Sequence, residues 1–243
     1  MMLQKWQMEV VMGHKTKVIS VIGAGGKTTL CKLIAKLNFG KKILITTTTK
    51  IFIPEEPDMN LHIGDIRSID NKYNIITAGK KVISDNKLEG YTIDEIDDLA
   101  NSNLFDIIIV EADGANRKSI KAPGINEPVI PINTNIIIGV IGLDSIGKRA
   151  NSDNVHRIDE FLEVIDGREN QLITIDNIVS VINNKNGMFK NCSELVKKAV
   201  ILNKKDTIDI KQIEEINNII QSGVIKYKTY ICSLKSVLEE VSI

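Results

Sequence analysis

Short runs of β-branched and aliphatic residues punctuate the chain at 17–22 (KVISVI), 42–47 (KILITT), 73–78 (YNIITA), 105–112 (FDIIIVEA), 135–142 (NIIIGVIG), 198–203 (KAVILN) and 226–232 (KYKTYIC). Several are apolar almost throughout, as strands covered on both faces should be. Between them apolar positions recur at helical spacing. Leu30, Leu33, Ile34 and Leu37 follow i, i+3, i+4, i+7, and Gly40 then supplies a stop. Thr92 and Glu95 form a capping-box pattern ahead of Ile96 and Leu99. Further stripes run through Ile158, Phe161, Leu162 and Ile165, through Ile175, Ile178, Val179 and Ile182, and through Ile210, Ile213, Ile216 and Ile220. This alternation predicts an α/β fold, a mainly parallel sheet with helices on both faces. No repeat or low-complexity linker interrupts it, so one domain over 1–243 is expected, with 1–16 as a short N-terminal extension.

In open sheets of this kind ligands sit beyond the carboxyl ends of the strands. Pro54 and Pro57 follow the run that ends in Thr46–Thr49, and Pro123, Pro128 and Pro131 follow the run that ends in Glu111. Both stiffened loops are therefore expected to border one crevice.

The stretch VIGAGGKTTL supplies candidate chemistry for that crevice. A standard phosphate loop would have glycine at position 21, where Val21 stands; the glycines present are Gly23, Gly25 and Gly26, giving G-x-x-G-K-T. The physics survives the shortening. Glycines turn backbone N–H groups inward, the following helix adds the positive end of its dipole, and Lys27 adds a full charge. Gly23, Ala24, Gly25, Gly26, Lys27, Thr28 and Thr29 are thus the expected nucleotide grip, with the Thr28 hydroxyl placed to ligate Mg²⁺. A dinucleotide-type G-x-G-x-x-G turn fails, because it would need glycine at Thr28.

FDIIIVEADG is an apolar strand ending in two carboxylates, Glu111 and Asp113, either of which could hold the Mg²⁺ shell or orient water. ILNKKD places Asn203, Lys204 and Asp206 in an N-K-x-D pattern after a late strand, which favours guanine and hence GTP over ATP. The plainer reading of these residues is a turn with a helix cap. Thr46 and Thr47 suit a strand, whereas Thr48, Thr49 and Lys50 stand at its tip, where Thr48 is a candidate metal or γ-phosphate contact. The loop 114–131 carries Arg117, Lys118, Lys121 and Glu127 and is too long for a mere connector, so it reads as a substrate or partner loop. His156 and Arg157 open a later helix within reach of an anionic ligand, or simply cap it.

Composition narrows the field. Lys+Arg and Asp+Glu are matched at 31 each, and aromatics are 4%. Neither a nucleic-acid footprint nor an anionic membrane surface is expected. Cys31, Cys192 and Cys232 are widely spaced, against a disulfide framework. No apolar run is long enough for a signal peptide or a membrane span, so a cytoplasmic protein is expected.

The blocks VIGAGGKTTL, LITTTTKIFIP, IIIVEADGANRKSIKAP, NEPVIP, GLDSIGK, VHRIDEF and ILNKKD occur in an order that resembles the YqeC family. Asn126 stands where that family often has histidine before EPVIP. The resemblance implies a P-loop NTPase-like three-layer fold and a role as an accessory protein in maturing selenium-dependent molybdenum hydroxylases, through selenium cofactor biosynthesis or insertion. On that reading the partners are a nucleoside triphosphate, Mg²⁺ and a molybdenum hydroxylase apo-enzyme or its cofactor. Lys27, Glu111 and Asp113 would be the catalytic residues of an NTPase. Two alternatives stand beside it: a nucleotide-dependent ligase or kinase for a small acidic substrate, and a non-hydrolysing, nucleotide-gated chaperone.

Overall fold

The computed structural model describes residues 15–53, 60–69, 72–84 and 87–241. Its strands are β1 (Lys17–Gly23), β2 (Ile43–Thr47), β3 (Lys50–Phe52), β4 (Asn60–Ile63), β5 (Ile75–Gly79), β6 (Lys81–Ser84), β7 (Lys87–Glu89), β8 (Ile107–Glu111), β9 (Ile120–Lys121), β10 (Thr134–Gly142), β11 (Val155–His156), β12 (Lys197–Asn203) and β13 (Lys228–Ile231). The helices are α1 (Lys27–Leu37), α2 (Ile93–Ser102), α3 (Ile158–Ile165), α4 (Ile175–Asn183), α5 (Ile210–Gln221) and α6 (Leu234–Glu240).

Eight strands form one sheet in the order β13-β12-β10-β1-β8-β2-β5-β4, and every neighbouring pair is parallel. Successive side chains of a strand leave opposite faces, and both faces are apolar here. Ile19 and Val21 of β1 enter one core with Leu30, Leu33 and Ile34 of α1 and Leu234 of α6. Val18 and Ile22 enter the other, with Ile96 of α2, Phe161 of α3, Ile178 of α4 and Ile216 of α5. The result is a three-layer α/β architecture, as the alternation of runs and stripes predicts.

The chain passes from β1 to β2, yet β8 lies between them. Such a switch in strand order opens a crevice at the carboxyl edge. The register fixes what lines it: Glu111 pairs with Val21 and with Thr47, Gly23 with Val140, and Gly142 with Asn203. The ends of all five strands that carry a motif therefore meet at one edge.

Differences from the sequence reading are local. The run at 105–112 becomes a strand only from Ile107, because Asp106 instead caps neighbouring strands: its carboxylate accepts from Lys42 N at 2.8 Å and its carbonyl from Lys17 N at 2.9 Å. The small antiparallel sheet β3-β7-β6, the pair β11-β9, edge strand β4 and helix α6 are additions. Pro54 and Pro57, and most of the expected extension at 1–16, lie outside the described residues. Among the described residues no helix is long and apolar enough to cross a membrane.

Candidate functional site

The turn after β1 is built without room for side chains. Gly23 has φ +91°, and a Cβ on it would stand 2.3 Å from the Val140 carbonyl oxygen. Gly25 has φ +80°, and its Cβ would stand 2.4 Å from Gly142 N. Only glycine accepts both the left-handed backbone and that approach to β10. The first amides of the turn are committed to the protein: Gly23 N donates to Asp113 Oδ2 (2.9 Å), Ala24 N to Val140 O (2.8 Å) and Gly25 N to Lys118 O (3.1 Å).

The character changes at Gly26, the N-cap of α1. No side chain caps this helix. The amides of Lys27, Thr28 and Thr29 lie in its first turn, where no preceding carbonyl can accept them within the helix, so its partial positive charge is directed outward. Gly26, Lys27, Thr28 and Thr29 line a cavity of about 710 Å³ at the carboxyl edge of the sheet.

Behind that helix start lies a buried chain of alternating charge. Lys27 Nζ donates to Gly23 O at 2.8 Å and stands 3.1 Å from Asp113 Oδ1 and 3.5 Å from Glu111 Oε1. Burial opposes the Lys27 charge, but Asp113 and Glu111 outweigh it and hold the pKa above the ordinary lysine value. Asp113 Oδ2 meets Lys121 Nζ at 3.1 Å, and Lys121 also binds Glu127 Oε2 and Gly114 O, each at 2.6 Å. Arg157 closes the chain with a fork onto Glu127, 3.1 and 2.9 Å. Burial would raise the Glu127 carboxyl; the Arg157 fork and Lys121 instead bring it down to about 2. His156 is pushed down by burial and by Lys121 and Arg157, so its ring is neutral at physiological pH.

Glu111 faces the other way, into the cavity. Thr28 Oγ1 donates to Glu111 Oε2 at 3.1 Å, which brings one hydroxyl and one carboxylate together beside the first amides of α1. Among the described residues no group of three or more His, Cys, Asp or Glu side chains could hold a metal unaided. The Thr28–Glu111 pair suits an ion that takes its other ligands from phosphate and water, which is the habit of Mg²⁺.

The remaining walls are cationic. Lys27 and Lys32 come from α1, Lys50 and Lys87 from the small sheet, Arg117 and Lys118 from the turn after β8, and Lys204 from the turn after β12. Among the described residues one lining carboxylate, Glu111, stands beside these seven, and the protein as a whole has equal numbers of each sign. Such focusing in a cleft favours a polyanion.

Of the residues singled out in the sequence, Gly25, Gly26, Lys27, Thr28, Thr29, Glu111, Arg117, Lys118, His156 and Lys204 line this cavity. Asp113, Lys121, Glu127 and Arg157 stand behind it as the charge chain. Thr48 is not brought to the cavity; its hydroxyl donates to Val129 O at 2.7 Å and ties down the proline loop. Asn203 is a brace: its Nδ2 donates to Gly25 O (2.7 Å) while its Oδ1 accepts from Leu234 N (2.8 Å). The exposed carboxylate of Asp206 accepts from the Ser233 hydroxyl and is not a lining group. Lys204 Nζ is held by Ser119 Oγ (2.8 Å) and Asp144 Oδ2 (3.0 Å).

Sequence reasoning missed Lys32, Lys87, Ser119 and Asp144. Lys32 carried a usable signal, one helical turn beyond Thr28 on the same face. Lys87 reaches the site through a strand with no motif, and nothing in the sequence marks it.

A family model described as YqeC protein matches residues 19–159. The chain is 31% identical over 198 residues to "Uncharacterized protein YqeC" of Escherichia coli (strain K12), covering 77% of this chain and 75% of that protein. No solved structure matches.

Proposed function

The chain belongs to the YqeC family, and on that premise we propose that it binds a purine nucleoside triphosphate with Mg²⁺ in the cavity at the head of α1 and hydrolyses it. The observation that carries this reading is the uncapped start of α1, with Lys27, Thr28 and Glu111 gathered at its first turn.

Each residue then has a task. The first-turn amides and the helix dipole hold phosphate oxygens. Lys27, kept charged by Asp113 and Glu111, neutralises the charge that develops on the transferred phosphoryl group. Thr28 and Glu111 would hold Mg²⁺, which when bound supplies charge neutralisation across the phosphates. Asn203 keeps the loop in shape through Gly25 O. Base choice between GTP and ATP is left to measurement, because Asn203 and Asp206 are both engaged within the protein.

The biological setting in this proposal is the maturation of selenium-dependent molybdenum hydroxylases, in line with the family resemblance. It is tested by the selenium content of such a hydroxylase in cells with and without this chain. The biochemical core is tested by calorimetric titration of GTP and ATP with Mg²⁺, and by release of inorganic phosphate. Micromolar binding and slow turnover are expected, and Lys27→Ala is expected to abolish turnover. Failure of both nucleotides to bind overturns the reading. Nucleotide consumption that requires an added acceptor would move it to the kinase or ligase class.

A further inference from the structure

We propose that His156 is a further catalytic residue of the cavity, the group that accepts the proton of the oxygen nucleophile, a water or an acceptor hydroxyl, as it attacks the terminal phosphate. This rests on the nucleotide reading above and adds the proton acceptor which that reading does not assign.

Phosphoryl transfer to water or to a hydroxyl releases that proton, and a lone pair at the site speeds its removal. Two observations put His156 in that place. The first is position: His156 lines the cavity together with Gly26, Lys27, Thr28 and Glu111. It is also held there from both sides. Val155, before it, is buried in the core and pairs with Ile120, while His156 itself pairs with Lys121. Arg157, after it, is forked onto Glu127 at 3.1 and 2.9 Å, and its carbonyl accepts Phe161 N at 3.0 Å at the start of α3. The half-buried ring is thus carried between two fixed neighbours rather than on a free loop.

The second observation is charge. Burial, Lys121 of β9, Arg157 and Lys27 of α1 all disfavour a proton on the ring, and Glu127 of the proline loop favours one without reversing the balance. The ring of the free protein therefore offers a lone pair at physiological pH. A triphosphate in the same cavity opposes those cations, since an anion near an imidazole favours its protonated form. Binding thus moves the ring toward the pH at which a base works best. Glu111 is committed elsewhere: its Oε2 accepts the Thr28 hydroxyl at 3.1 Å and its Oε1 faces Lys27 at 3.5 Å. In the step itself a bond forms from the nucleophile oxygen to the terminal phosphorus while the bond from that phosphorus to the bridging oxygen breaks. The proton of the nucleophile passes to the imidazole, the leaving diphosphate keeps the electron pair of the broken bond, and the imidazolium returns its proton to solvent. The competing account makes His156 a residue that merely fills the edge of β11 beside Arg157.

The test uses the full chain with Mg²⁺ and whichever of GTP and ATP it turns over. H156Q is expected to lose roughly a hundredfold in kcat with little change in KM, and to lose the limb of the pH–rate profile that rises as the wild-type ring gives up its proton. H156N serves as a second variant, and thermal melts like that of the wild type show that the loss is local. A separate readout needs no turnover. The chain has three histidines, so their ring proton resonances can be followed against pH and that of His156 assigned by its disappearance in H156Q. This resonance should titrate below the ordinary histidine range in the free protein and move up when Mg²⁺ and a non-hydrolysable triphosphate are added. The proposal is overturned if H156Q keeps its kcat within about threefold with an unchanged pH profile, if the loss falls on KM alone, or if bound triphosphate leaves the ring titration where it was. Any of these results alongside wild-type turnover leaves the nucleotide reading standing and removes the role of His156 alone. No turnover of either nucleotide by the wild type removes both.

Discussion

Lys27 Nζ and Asp113 Oδ1 stand 3.1 Å apart with side chains only 4% and 3% exposed. The contact is ionic rather than an aligned hydrogen bond, since Asp113 Oδ1 has no hydrogen-bond partner. Asp113 also binds Gly23 N and Lys121, so one carboxylate joins the glycine-rich turn to the proline loop and, through Lys121 and Glu127, to Arg157 at the head of α3. Any displacement of the Lys27 ammonium changes the charge that Asp113 must share with Lys121.

Removing that carboxylate leaves two buried ammonium groups facing each other across a neutral amide. Breaking one partner out of a buried charge set costs about 3 kcal/mol or more. Asp113→Asn is therefore expected to lower the urea-unfolding free energy by that amount, with a native circular dichroism spectrum before the transition. A variant as stable as the wild type would show that the chain of charges contributes nothing to the fold.

Acid should weaken the protein through Glu127. Its carboxyl is lowered from the ordinary 4.5 to about 2 in the folded chain. A group depressed by folding stabilises above its unfolded pKa, and the contribution is lost as pH falls through the folded value. The window is thus from about pH 4.5 down to about 2, and the loss is on the order of 3 kcal/mol. Stability measured against pH should fall across that window in the wild type. In Glu127→Gln the fall should be shallower, from a lower starting stability, because the amide cannot satisfy Lys121 and Arg157 as a carboxylate does.

Two glycines of the cavity wall should respond very unequally to an added methyl group. At Gly25 the new Cβ would meet the backbone of Gly142 at 2.4 and 2.6 Å, on a residue with φ +80°. Neither the backbone contact nor the strain can relax cheaply, and a cost of about 3 kcal/mol follows. At Gly114 a Cβ would meet nothing within 4 Å. Gly114→Ala should stay within about 0.5 kcal/mol of wild type. Thermal melts of the two variants side by side make the comparison, and equal shifts would contradict the account of the turn.

The main sheet was legible because its strands are buried on both faces. Ile107 to Val110 and Val200 to Leu202 announce themselves by being apolar throughout, and Val18 to Ile22 by being apolar but for the buried Ser20. The small sheet was not, since Lys81–Ser84 and Lys87–Glu89 are too short to show a period, and the place of the sheet is set by long-range bonds such as Tyr91 N to Thr47 O that no local pattern announces. Within the site, Gly23 to Thr29 was readable because helix start, glycines and lysine are contiguous. The chain Lys27–Asp113–Lys121–Glu127–Arg157 was not, because it joins separate segments whose meeting depends on sheet order. Asn203 shows the limit most sharply. The sequence offers it only as the first member of an N-K-x-D pattern; the structure shows it bracing the glycine-rich turn, because β12 ends beside that turn and the side-chain amide meets Gly25 O.

That placement bears on the base preference of the proposed nucleotide site. If Asn203 acts by holding Gly25 and receiving Leu234 N, its loss loosens the loop under any triphosphate. Asn203→Ala removes two hydrogen bonds, one of them buried, worth about 2 kcal/mol together, and should weaken GTP and ATP by the same factor. Asp206, exposed and bonded to Ser233, should matter still less: Asp206→Ala is expected to leave the ratio of the two affinities where it stands in the wild type. A guanine-reading aspartate would behave otherwise, since its removal costs GTP the hydrogen bonds that ATP never made. Parallel titrations of the wild type and both variants with the two nucleotides separate the cases. A selective loss of GTP in Asp206→Ala would mean that the Ser233 contact gives way on binding and that the carboxylate turns to the base.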